Sequence, residues 1–183
     1  MNKWINLILY QSVWLLAVAG AARGWWWAGP IAVAIFAALQ LAVSTSRRSD
    51  VVLICIAAAA GFVIDSLFAR SGALSYASPV PWVSLAPVWI VALWVNFALT
   101  LNHSLSYLKS NFVLAAALGG IGAPLAYWAA FKGWNAISFG ESPIGTLIVL
   151  AFVWAVVTPI LCLAANRLRK YDGALPALAG AVS

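Results

Sequence analysis

The sequence predicts an all-α, polytopic membrane protein of six transmembrane helices with both termini on the cytoplasmic side. Composition is the first reason: 65% of the 183 residues are hydrophobic and 8% are charged, whereas a soluble domain carries about 25% charged residues. The second is length, because apolar runs of the roughly 20 residues needed to cross a bilayer recur along the chain. The third is the placement of the ten Lys and Arg, which stand at the ends of those runs. Charges so placed are topology signals, so the net charge of +6 gives no ground for a nucleic-acid partner. Six spans also leave no room for a separate soluble domain, and residues 1–170 read as one transmembrane domain.

The first span covers residues 4–22, between Lys3 and Arg23. Lys3 and the small triplet Ala19-Gly20-Ala21 also fit a secretory signal peptide; the length of the run and its Gln11, Ser12 and Trp14 favour a retained span. Arg23, Gly24 and Trp25 to Trp27 form a hairpin with aromatic rings at headgroup depth. The second span, 28–43, ends in the polar segment Ser44 to Asp50, and the third, 51–69, ends at Arg70. Residues 71–83, with Gly, Ser and two prolines, read as a long loop before the fourth span, 84–108. Lys109-Ser110-Asn111 turns the chain into the fifth span, 112–130. A second loop over 132–142 leads to Pro143, suited to the first turn of the sixth span, 144–165. Residues 171–183 are small and read as a flexible cytoplasmic tail.

With the N-terminus inside, the inner segments hold Lys3, Arg47, Arg48, Lys109, Arg167, Arg169 and Lys170, and the outer ones only Arg23, Arg70 and Lys132. That imbalance selects N-in and C-in.

The fourth span carries the densest chemistry. On a continuous helix Trp89, Asn96, Thr100, His103 and Tyr107 share one face, at spacings of seven, four, three and four. Such a stripe in lipid must face protein, a cavity or water, and these residues are the candidate lining of a ligand cavity. Gln11 and Gln40 are the nearest polar candidates on other spans. Asp65 is the one acid well inside a span, and a carboxylate at the bilayer centre costs about 2.5 to 3.5 kcal/mol on insertion scales. It reads either as an interfacial charge paired with Arg70 or Lys132, or as a proton or cation site facing Trp89 and Asn96. His103, the sole histidine, reads as a packing residue bonded to Gln11, Gln40 or a carbonyl, or as a proton-exchanging group in an inner cavity. No carboxylate or cysteine partner is expected at its depth, so no metal or haem is assigned. Asp65 and His103 should lie roughly 15 to 20 Å apart in depth, too far to act as a pair.

In the fifth span Ala115, Gly119 and Ala123 recur every four residues, the spacing of a close helix-packing face, and Pro124 frees a carbonyl. Trp14, Trp89, Trp94 and Trp154 lie deep enough to line an apolar pocket, while Trp25 to Trp27, Trp82 and Trp134 read as interface anchors. Cys55 and Cys162 have no motif spacing, and no cofactor is implied.

The series Pro87-Val88-Trp89, Leu93-Trp94, Phe97 to Leu101, His103-Ser104-Leu105 and Gly122 to Trp128 resembles a family of small bacterial inner-membrane proteins known under a domain-of-unknown-function label. The resemblance implies a multi-pass bacterial inner-membrane protein. Its members are often encoded near genes for fatty-acid modification of the cyclopropane-synthase type, which implies a lipid-related role and transfers no catalytic residue. The expected function is therefore binding, transport or transbilayer movement of an apolar or amphiphilic molecule, such as a lipid or fatty-acyl compound, with membrane lipids as partners. The alternatives are an accessory subunit of a lipid-modifying complex, docking a membrane partner or a second copy through the fifth span, and thirdly an intramembrane enzyme using His103 or Asp65.

Overall fold

The computed structural model describes residues 2–179. Six α-helices form the bundle among them: α1 Lys3–Ala22, α2 Ala28–Val43, α3 Arg47–Arg70, α4 Val88–Leu101, α5 Phe112–Trp134 and α6 Pro143–Ala179. A 3-10 helix covers Ser106–Ser110, and two short strands, β1 Leu74–Tyr76 and β2 Ile137–Phe139, lie in the two long loops. Local signals explain most ends. The side chains of Asn2 and Asn111 accept from Trp4 N and Leu114 N and so cap α1 and α5. Asn135, left-handed at φ 54°, closes α5 and donates its N–H back to Ala130 and Phe131.

Four helices are long and apolar enough to cross a membrane: Lys3–Ala22, Arg47–Arg70, Phe112–Trp134 and Pro143–Tyr171. Their outward faces carry exposed Ile8, Val63, Leu67, Ile121 and Phe152, an apolar surface compatible with a lipid surrounding. The other two, Ala28–Val43 and Val88–Leu101, are shorter.

The largest departure from the sequence expectation is α4. A single helix over 84–108 is expected, but the helix stops at Leu101 and the chain turns through 102–105 into the 3-10 helix. Fourteen residues rise only about 21 Å, short of a full hydrocarbon core. Ten of the 14 are buried, among them Phe97 and Leu101, which the stripe reading turns away from the site. The helix is apolar on all sides because it runs through the middle, packed against α1, α2, α3 and α6.

Loops 71–83 and 132–142 are also more ordered than expected: β1 and β2 pair antiparallel, with Leu74 opposite Phe139 and Tyr76 opposite Ile137. Ser78 Oγ donates to Ala21 O and ties this sheet to the end of α1. At the other end Asn6, Gln40, Asp50, Asn102 and Asn166 are joined by hydrogen bonds, so successive helices run up and down between a sheet end and a basic end. The last helix runs to Ala179, past the expected end at 165 and into the segment read as a flexible tail; residues 180–183 lie outside the described residues.

Ala115, Gly119 and Ala123 are buried, and α5 packs most extensively on α6. A Cβ on Gly119 would stand 2.3 Å from both Thr158 Oγ1 and Trp154 O. Gly119, at the centre of the small-residue face, thus packs on the chain's own α6. Pro124 sits inside a continuous α5, with no break there.

Candidate tryptophan-walled cavity

Between α1 and α5, with α4 and α6 behind, lies a cavity of about 410 Å³. Its walls include Trp14, Trp89, Trp94 and Trp154, the four tryptophans expected to lie deep. Trp94 and Trp154 stack with ring centroids 4.3 Å apart, and Phe97 meets Trp154 edge-on at 5.6 Å. Trp14 is held by an edge contact with Trp134, expected as an interface anchor, at 5.7 Å. Gln11, Gly122 and Leu125 on the rim are exposed. A Cβ on Gly122 would meet nothing within 4 Å, so a glycine here leaves the rim open.

Behind this wall Asp65 is fully buried. Its Oδ1 accepts from the Tyr76 hydroxyl at 2.7 Å and the Tyr127 hydroxyl at 2.6 Å, and its Oδ2 from Trp94 Nε1 at 2.7 Å. The expected ion pair of Asp65 with Arg70 or Lys132 is not formed. No cation pairs with it among the described residues, Lys132 instead lying over the rings of Trp128 and Phe131. Trp89 and Asn96 make their side-chain hydrogen bonds elsewhere, to Ala77 O and Tyr10 O. Three neutral donors replace the hydration a buried carboxylate loses. Tyr76, outside the spans, keeps its proton because burial first, and the charge of Asp65 second, push its hydroxyl well above the ordinary tyrosine value. Trp154 Nε1 lies beside the Tyr127 hydroxyl but completes no hydrogen bond of ordinary geometry.

The predicted lining residues separate. Trp89 and Gln11 border the cavity; Asn96, Thr100, His103, Tyr107, Asp65 and Gln40 do not. Trp89 donates to Ala77 O at 2.9 Å. Asn96 Nδ2 donates to Tyr10 O, and Thr100 Oγ1 to Phe97 O within its own helix. Tyr107, carried on the 3-10 helix, is 48% exposed. The stripe is therefore largely a packing seam, because the helix that would align it ends at Leu101.

At the basic end His103 has the expected partner, Gln40, with Nε2 to Nε2 at 2.7 Å, and an unexpected one, Asp50 Oδ2 at 3.4 Å. The ring nitrogen can accept from the Gln40 amide or donate to Asp50, and its protonation decides which. A carboxylate thus does stand at the depth of His103, contrary to the sequence reading. Asp50 is buried and also accepts from Ser44 Oγ and, at 2.8 Å, from Asn102 Nδ2. Asn6 Nδ2 donates to Gln40 Oε1 at 3.1 Å and completes the cluster. Sequence reasoning missed Asp50, Asn6, Tyr76 and Tyr127. Asp50 and Asn6 sit near span ends where polar residues are ordinary, and the tyrosines carry no motif. Among the described residues no three His, Cys, Asp or Glu side chains gather in a metal-binding group.

The fold and the cavity together define a helical protein with membrane-compatible helices around a tryptophan-walled internal space. The chain belongs to the DUF2878 family, described as proteins of unknown function, whose model matches residues 3–160. No curated protein and no solved structure matches it. The resemblance to an uncharacterised family therefore holds over most of the chain.

Proposed function

We propose that this is a six-span protein of the bacterial inner membrane that takes an amphiphilic, lipid-like molecule into the tryptophan-walled cavity, to bind it or to move it across the bilayer. The cavity itself carries this reading. It is apolar, and its rim lies on α1 and α5, whose outer faces suit acyl chains rather than water. The seven cations of the basic end favour a cytoplasmic orientation for that end.

The accessory-subunit reading is less favoured, since Gly119, at the centre of the small-residue face, packs on α6. The enzyme reading finds acid groups with partners but no substrate space beside them, since Asp65, Asp50 and His103 line neither the tryptophan cavity nor any other recess found among the described residues. Asp65 and the Asp50–His103 cluster are separated by 15 residues of α3, about 22 Å.

The test is native mass spectrometry with lipidomics on protein purified in mild detergent, comparing wild type with Gly122→Leu. Leucine at this exposed helical position fills the rim without a backbone clash. Loss of a lipid-like species from a folded Gly122→Leu protein is expected; an unchanged lipid complement would refute the cavity as a ligand site.

A further inference from the structure

We propose that a second site, in a basic recess between the 3-10 helix and α6, binds the phosphate group of an anionic molecule. The recess encloses about 510 Å³ and is lined by Ser106, Lys109, Ser110, Asn166, Arg167 and Lys170, with Leu163 as its apolar wall. It shares no lining residue with the tryptophan cavity and does not depend on the function proposed for that cavity.

Its chemistry follows from the residues. Leu163, Arg167 and Lys170 are separated by four and three positions and so lie on one face of α6. The third cation comes from across the recess. Lys109 is only partly exposed, and two contacts fix it: Asn166 Nδ2 donates to its carbonyl at 2.9 Å, and its Nζ donates to Asn102 Oδ1 at 2.7 Å. Asn102 is in turn held by Asp50, whose own oxygens are engaged by Ser44, Asn102 and His103. One ammonium proton of three is used in this way, leaving two for a ligand. No carboxylate lines the recess among the described residues, and the Ser106 hydroxyl adds a neutral donor, that of Ser110 being spent on Tyr107 O. Burial, and after it the neighbouring Arg169, lower the Lys109 pKa from its ordinary value. An anion in the recess would offset both effects. Three cations with hydroxyl and amide donors match the three-sided acceptor surface of a phosphate better than a planar carboxylate. Exposed Leu163 at the edge allows that phosphate to belong to a phospholipid headgroup, while a soluble phosphate presents the same oxygens.

The experiment titrates the full chain in mild detergent with dioleoylphosphatidylglycerol or dioleoylphosphatidylcholine by native mass spectrometry, and with inorganic phosphate by calorimetry. Lys109→Gln/Arg167→Gln/Lys170→Gln is compared with Lys3→Gln/Arg47→Gln/Arg48→Gln, which removes equal charge from the same end. Arg167→Gln/Lys170→Gln, altering exposed side chains alone, covers the case in which losing Lys109 harms folding. The recess variant should weaken phosphatidylglycerol binding on the order of a hundredfold, about fivefold for each basic group, with the control triple unchanged. Phosphate binding lost in the recess variants, without preference between the lipids, would support the site with a soluble source. Equal losses in the control triple, or no phosphatidylglycerol preference and no phosphate binding in wild type, would overturn it.

Discussion

The Trp94 indole lies across Gly61 of α3, where a single added Cβ would come within 2.1 Å of Trp94 Cγ. That contact lets Trp94 stack on Trp154 and reach Asp65 at once. Gly61→Ala must therefore move a rigid ring, a change that costs about 1 to 3 kcal/mol in a packed core. We expect lower thermal stability in detergent and altered tryptophan fluorescence. A variant as stable as wild type, with the same spectrum, would show that the ring is not held there.

Asp65 depends on donors from three separate elements. Tyr127→Phe and Tyr76→Phe each remove one hydrogen bond and should cost about 1 to 3 kcal/mol. Asp65→Asn should cost more than either, because its amide N–H groups would meet donors already pointing at the site. Denaturant titration of the three variants gives the order; an innocuous Asp65→Asn would contradict the geometry.

Two glycines three positions apart in α5 should behave oppositely. A Cβ on Gly119 meets Trp154 O and Thr158 Oγ1 at 2.3 Å, whereas one on Gly122 meets open space. Gly119→Leu should prevent α5 and α6 from closing and abolish stable expression. Gly122→Leu should fold, with a gain of up to about 1 kcal/mol from helix propensity. Equal behaviour of the two variants in expression and unfolding assays would refute this packing.

Asp50 and His103 should be coupled through their shared cluster. Asp50→Asn, His103→Gln and the double variant form a cycle in which an interaction energy of order 1 kcal/mol is expected for contacting residues. Strict additivity would mean that the 3.4 Å approach contributes nothing.

Helix existence was legible wherever a local property sufficed. Apolar length marked α1, α3, α5 and α6, and the four-residue spacing of Ala115, Gly119 and Ala123 marked a packing face. The depth of Trp14, Trp89, Trp94 and Trp154 was legible too, and all four meet in one cavity. The polar stripe misled because periodicity assumes that the helix continues. His103 and Tyr107 fall beyond Leu101, where the chain turns back under α4.

The sequence by itself determined an apolar helical chain and its basic segment ends, since these follow from composition and run length, and its similarity to a family model over residues 3–160 gave its family. Only the tertiary structure decided which polar groups meet. Asp65 finds Trp94 and Tyr127 at separations of 29 and 62 residues, and Asp50 finds His103 at 53. Such meetings depend on the rotation and depth of each helix, which side-chain packing between helices sets and the period of a single helix does not encode.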